Sequence, residues 1–239
     1  MLVGSFLNVV IHRVPRRESL VRPRSRCPEC GTPIAPYDNV PVLSWLLLRG
    51  RCRRCGAPIS PRYPLVELVT ALAFAAVVLT RGFDDDLVLE LPFVAALIAL
   101  AGIDYDHKLL PNRIVYPLAG YGLIATVLVD RGDLVEHIVA GGGAFAFLLA
   151  AVIAYPRGMG MGDVKLAGAM GLFLGVSVIP ALLVAFLSGS VVGLAIIARE
   201  GAAGRKKAIP FGVFLALGGI VGVLAGPELV DLYESNFLE

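Results

Sequence analysis

Three aspartates carry the chemistry available to this chain. Asp163 sits in GMGMGDVK, from Gly158 to Lys165, between a glycine-rich bend and a membrane-grade apolar run. Asp104 and Asp106 end another apolar run, in IDYDHKLLPN. An ionisable group at membrane depth is costly unless it has a function or a partner. Two carboxylates brought close together cannot both ionise cheaply, so they share a proton; one can then act as base on a water and the other as acid on a leaving amine. That is peptide hydrolysis without a covalent intermediate, on a substrate partly in the membrane.

Plainer readings exist for the same residues. Asp163 before VKLAGAM fits a helix N-cap, and Asp104 and Asp106 fit juxtamembrane charges. An Asp-x-Asp pair with a distant third Asp also suits Mg²⁺ in a metal-dependent membrane transferase. Gly160 and Gly162 permit backbone conformations that would let an extended substrate approach Asp163. Lys165 either holds a substrate carboxylate, tunes Asp163 or snorkels to the interface. Glu67, in the first turns of an apolar run, suits the positive end of a helix dipole. His107 suits a proton shuttle or a loop histidine at the headgroups; His12 and His137 carry no signal.

The elements that must position these groups are membrane helices. The 239-residue chain is 57% hydrophobic and only 17% charged, with a mean hydropathy of +0.78, whereas soluble domains carry about 25% charge. Apolar runs occupy 64–80, 87–103, 114–130, 135–155 and 209–226, each near the minimum for crossing a bilayer. The longer run from Val164 to Ala198 contains Gly175, Ser177 and Pro180, and predicts a hairpin of two spans turning near Pro180. Residues 1–11 are too few for a span. They are either the end of a first span whose beginning is absent from this sequence or a short interfacial helix; the basic residues follow this run, which argues against a signal peptide.

This gives an all-α polytopic protein of about eight membrane segments, the first truncated. Its expected divisions are a partial segment at 1–11, a polar domain at 12–63, a membrane domain at 64–226 and a polar tail at 227–239.

The polar domain holds all four cysteines, as CPEC at Cys27 and Cys30 and CRRC at Cys52 and Cys55. The spacing C-x2-C-x21-C-x2-C lies just beyond the zinc-ribbon range, and each pair can form a knuckle offering two thiolates to a closed structural zinc site. Disulfides and redox chemistry are the alternatives. Charge orients the chain: with the cysteines in the cytoplasm, segments 12–63, 104–113, 156–165 and 199–208 hold 19 of the 21 Lys and Arg residues, and only Arg81 and Arg131 face out. All three aspartates then lie at the cytoplasmic membrane edge. Reduced cytoplasmic thiols favour zinc. Two other classes compete: a proton-relay transporter, which wants midplane carboxylates and paired repeats, and a membrane anchor whose eleven arginines between Arg13 and Arg62 bind partners or nucleic acid. Inside-face charge explains those arginines without nucleic acid.

Taken in order, GSFLNVVIHRVP, the two cysteine pairs, VPVLSWLLLRGRCRRC, RYPLVELVTA, IDYDHKLLPN, GMGMGDVKLAGAMG and IPFGVFLALGG resemble the bacterial type IV prepilin peptidases, GxGD-type membrane aspartic proteases. The resemblance covers nearly the whole chain. It implies an inner-membrane enzyme that cleaves the leader of prepilins or pseudopilins at the cytoplasmic face, then N-methylates the new terminus with S-adenosylmethionine; a peptidase without the methyl transfer is the alternative. It implies Asp104 and Asp163 as the catalytic pair, Asp106 as a supporting carboxylate and the four cysteines as zinc ligands. S-adenosylmethionine binding rests on the resemblance alone, with the segment around Gly50 its expected contributor. Asn112 stands where many relatives have Asp.

Overall fold

The computed structural model describes residues 1–129, 134–155 and 159–237. Arg131, Arg157, Gly158 and the last two residues of the expected tail lie outside them. Helix α1 spans Leu2–Arg13, α2 Leu43–Leu47, α3 Arg62–Arg81, α4 Leu87–His107, α5 Asn112–Val129, α6 Leu134–Ala154, α7 Met161–Leu174, α8 Val178–Glu200 and α9 Phe211–Phe237. The described residues contain no named strand, only isolated bridges. Among the described residues, five segments are long and apolar enough to cross a membrane, one of them a 40-residue stretch from Met161 to Glu200. The chain forms two compact units, Met1–Ala75 and Ala76–Glu239.

In the second unit, the 40-residue stretch folds back on itself. A Cβ placed on Gly219 would touch Leu97 and Met170, one on Gly222 would touch Leu174 and Ala181, and one on Gly189 would touch Phe214. These contacts run α7 parallel to α9 and α8 antiparallel to it, so α7 and α8 form the expected hairpin. The turn lies at Gly175–Ser177, not near Pro180. Gly175 supplies the positive φ of 54° that the reversal needs. Pro180 is the third residue of α8, inside a first turn that has no intrahelical N–H bond for it to break.

The start of α6 fastens this turn. Val176 N–H donates to Glu136 Oε1 at 2.9 Å, and His137 Nδ1 lies 2.9 Å from the Leu172 carbonyl. His137, without a signal in the sequence, therefore has a structural partner.

Helices α4 and α9 are the inner members of the bundle. Phe93 of α4 stacks on Phe173 of α7 with centroids 4.4 Å apart, and Leu97, Leu100, Ile103, Met170 and Leu215 are fully buried. Tight helix approach replaces the hydrophobic drive that lipid does not provide. At the α6–α7 crossing, a Cβ on Gly171 would lie 2.5 Å from Gly141 Cα.

Of the prolines inside helices, Pro92 and Pro227 each strip a carbonyl of its usual partner, and in both cases the carbonyl finds another. Pro92 cannot bond Val88 O, which instead accepts the Tyr121 hydroxyl. Pro227 cannot bond Val223 O, which accepts the Arg81 guanidinium, itself 3.1 Å from Glu90. With that carbonyl satisfied, α9 continues past Pro227 to Phe237, into the segment expected as a polar tail.

In the first unit, α1 and α3 pack antiparallel. Asn8 Nδ2 donates to Tyr63 O at 3.1 Å, and a Cβ on Gly4 would lie 2.7 Å from Glu67 Cα. The polar domain between them is built from turns, as its Arg, Pro and Gly content requires.

The glycine crossing gives a direct test. Gly171→Val should destabilise the protein by about 3 kcal/mol, the upper range for overpacking, seen as a lower thermal midpoint in detergent. Gly142→Val, where a Cβ meets nothing within 4 Å, should leave the midpoint unchanged.

Candidate active site and metal centre

Asp104 lies in the last turn of α4 and Asp163 is the third residue of α7. Both are buried, at 5% and 8% exposure, and Asp163 is close enough to Asp104 to feel its charge. The helix directions explain the meeting. The C-terminal end of α4 and the N-terminal ends of α7 and α9 converge at one end of the bundle, and the positive poles of α7 and α9 favour negative charge there.

Gly160, not Asp163, is the N-cap of α7. The capping expectation is half met, because Asp163 Oδ2 accepts the Gly160 N–H at 2.9 Å. Asp104 faces the first amides of α9, at Gly212 and Val213, yet its Oδ2 is buried without a hydrogen-bond partner. A Cβ on Gly212 would lie 2.8 Å from that oxygen. A buried carboxylate oxygen left without a partner is costly in a folded protein, and a water or a substrate amide would satisfy it.

The glycine reading needs adjustment. Gly160 is extended, with its N–H committed to Asp163. At Gly162 a Cβ would lie 3.0 Å from Leu110 Cβ, and one on Gly212 would lie 3.0 Å from Leu110 Cδ2. Leu110 therefore fills the space beside Gly162 that the sequence reading left open for substrate.

Asp106 is exposed. Two residues along a helix is a rotation of about 200°, so it points away from Asp104, and the Asp-x-Asp arrangement does not converge on one ion. Lys165 is likewise on the opposite face of α7 from Asp163. Its ammonium donates to Asn112 Oδ1 at 3.2 Å and lies 5.2 Å from the centre of the Tyr116 ring. His107 is exposed.

The cysteines form a second site, wholly within the first unit. Two knuckles repeat one design: Cys27 N–H bonds Thr32 O and Gly31 N–H bonds Cys27 O, while Cys52 N–H bonds Ala57 O and Gly56 N–H bonds Cys52 O. Gly31 and Gly56 take matching φ values of 66° and 72°. All four sulfurs lie within 4.8 Å of one another, with Cys27 and Cys55 3.7 Å apart. Tetrahedral Zn–S bonds of about 2.3 Å require S···S distances near 3.8 Å. The thiols diverge: Cys30 is drawn down to about 6, chiefly by the Thr32 hydroxyl and backbone, which favours its thiolate. Cys55 is pushed up to about 12, its Ala57 backbone bond outweighed by burial and the other thiols. The cluster can hold a metal ion.

Glu67 and Val42 have a joint role that the sequence does not signal. Glu67 is buried and its Oε2 accepts the Val42 N–H at 2.7 Å; it is more than a dipole partner. Val42, β-branched with φ of 62°, occupies a region such residues avoid. The carboxylate holds it there and so sets the start of α2. Trp45 of α2 then donates to Ile59 O at 3.0 Å and packs on Gly50, where a Cβ would lie 2.8 Å from the indole. The requirement for glycine at 50 comes from this turn, with its φ of 66°. No local pattern signals a bond spanning 25 residues.

A multispan helical membrane protein with two buried aspartates at one end of its bundle is a candidate membrane aspartic hydrolase. Residues 91–198 match the profile of the Type IV leader peptidase family, and residues 1–81 match the Bacterial Peptidase A24 N-terminal domain. Among curated relatives, a prepilin leader peptidase/N-methyltransferase of Aeromonas hydrophila is 40% identical, with 100% of this chain and 92% of that protein covered. Relatives of the same name from Pseudomonas aeruginosa and Myxococcus xanthus are 36% and 44% identical, covering 98% and 86% of this chain and 90% and 63% of their own. No solved structure matches. The chain belongs to the type IV leader peptidase family.

Glu67→Leu should leave the Val42 amide unpaired and cost about 1–3 kcal/mol of local stability, read as faster amide exchange from Val42 to Gly50. Glu67→Gln keeps an acceptor and should retain most of the protection.

Proposed function

We propose that this chain is a prepilin leader peptidase and N-methyltransferase of the bacterial inner membrane, with Asp104 and Asp163 as its catalytic pair. The observation that carries this reading is the burial of both carboxylates at one end of the bundle, one of them with an oxygen lacking a partner. One carboxylate takes a proton from water as its oxygen attacks the scissile carbonyl. The other, protonated, gives its proton to the leaving nitrogen as the C–N bond breaks. The leader departs with a new carboxylate, and the shortened pilin with a new amine. Gly160 and Gly162 support Asp163 through the Gly160 amide and the close seat of Leu110. Asp106 and Lys165, on the far faces of their helices, act outside the reacting centre.

The basic residues of the segments flanking the pair support a cytoplasmic site, which suits substrates with short basic leaders. Four thiolates suit zinc with no open position, so the metal is structural and contributes folding energy to the first unit. S-adenosylmethionine, when bound, supplies an electrophilic methyl group to the new amine; we assign its site to the segment around Gly50, on likeness to the family. Substrates are prepilins or pseudopilins, reached through membrane lipid and without nucleic acid.

Cleavage of a prepilin in detergent tests the pair. Asp104→Asn and Asp163→Asn should each lose about a thousandfold or more, and the double variant little beyond either, because the residues act as one unit. Near-parental cleavage by either folded variant rejects the assignment. EDTA and added Mg²⁺ should leave the cleavage step unchanged in protein that keeps its zinc. Elemental analysis should find one zinc per chain, lost in Cys27→Ser with Cys52→Ser.

A further inference from the structure

Helix α2 presents an apolar surface with no role assigned above. Leu43, Leu46 and Leu47 are 54, 59 and 73% exposed. The rest of the helix is fixed to its own unit, by Ser44 Oγ to Tyr37 O at 3.0 Å and by the Trp45 indole to Ile59 O. Three exposed leucines on five residues need a covering partner.

The bond from Val42 to Glu67 sets the depth of this surface. Glu67 is the sixth residue of α3, a helix long and apolar enough to span a membrane. Five steps at a rise of about 1.5 Å place it roughly 7.5 Å along from Arg62, the charged residue that opens the helix. The start of α2 is therefore drawn level with the second turn of a spanning helix. Helices lying in the membrane interface bury their apolar face about 5–10 Å into the headgroup and acyl boundary. The contact of Gly4 with Glu67 puts a second apolar helix, α1, at the same level. Directly after α2 come Arg49, Arg51 and Arg54, all exposed. Apolar side chains bordered by arginines match a surface of acyl chains bordered by phosphates.

We propose that α2 is an interfacial anchor, with Leu43, Leu46 and Leu47 seated at the acyl boundary of an anionic bilayer and Arg49, Arg51 and Arg54 at its headgroups. Depth and charge favour lipid over a second copy of the chain or the apolar segment of a substrate. The anchor is independent of the Asp104 and Asp163 assignment.

Trp45 is the only tryptophan of the chain and reports on its neighbours. The full-length protein is reconstituted in phosphatidylcholine/phosphatidylglycerol vesicles whose acyl chains carry bromine either near the carbonyl or near the terminal methyl. Trp45 fluorescence should be quenched strongly by the shallow bromines and weakly by the deep ones. In Leu43→Ser/Leu46→Ser/Leu47→Ser, shallow quenching should fall to the level of unbrominated vesicles while the four cysteines keep their metal; Leu47→Ser alone serves if the triple variant loses it. Arg49→Gln/Arg51→Gln/Arg54→Gln should remove the dependence of quenching on phosphatidylglycerol content. Indifference of Trp45 to both brominated lipids overturns the proposal, as does full quenching in a metal-retaining leucine variant. Fluorescence that responds to protein dilution or added prepilin, and not to bromine, assigns the leucines to a protein partner and also overturns it.

Discussion

Burying charge in an apolar bundle is expensive, and the second unit is arranged around that expense. Asp104 and Asp163 are tolerated where α7 and α9 begin, because the first amides of a helix are unpaired donors and its dipole is positive. Asp163 takes the Gly160 amide, while one oxygen of Asp104 stays without a partner. For the three helix ends to come so close, Gly162 and Gly212 must lack side chains, since Leu110 and Asp104 already occupy the space beside them. The second glycine of the GxGD stretch, Gly162, thus follows from the requirement to bring two acids together.

The rule that polar atoms must be satisfied inside the membrane also explains contacts far from the carboxylates. Val88 O and Val223 O, freed by Pro92 and Pro227, are taken by Tyr121 and Arg81. The turn at Gly175–Ser177 gains Glu136 and His137. In each case the partner comes from another helix, so repairing a local defect also ties two elements together. The prolines that would weaken an isolated helix here fix the order of the bundle.

Much of this was legible in the sequence because membrane crossing constrains length and charge so strongly. The spans, the hairpin and the placing of Asp104 and Asp163 at one end of the bundle follow from apolar run lengths and the counting of loop arginines and lysines. The hairpin's turn was misplaced because Pro180 looked like the breaker, whereas proline is harmless in a first helical turn and Gly175 alone takes the positive φ. The outward direction of Asp106 could have been read from its spacing of two on a helix. The bond from Glu67 to Val42 could not, since it depends on two segments packing together. The room beside Gly162 looked open because sequence does not show what fills it.

Two chemistries in one chain raise the question of whether the transfer step needs an acid–base pair of its own. In the proposed reaction order, hydrolysis hands over an α-amine, whose ordinary pKa near 7.7–8.0 leaves roughly a tenth of it neutral at pH 7. That fraction is already nucleophilic, and a sulfonium methyl group is a strong electrophile, so a site that holds donor and amine in line needs no strong base. The first unit, where the donor is proposed to bind, is compatible with this. Its one buried acid, Glu67, is engaged by the Val42 amide and serves geometry, and its cysteines converge on one another. The matched regions divide in the same way, with both aspartates in the leader peptidase region and the cysteines and Glu67 in the N-terminal one. On the proposed assignment, the demanding proton chemistry falls to the buried pair and the first unit contributes placement.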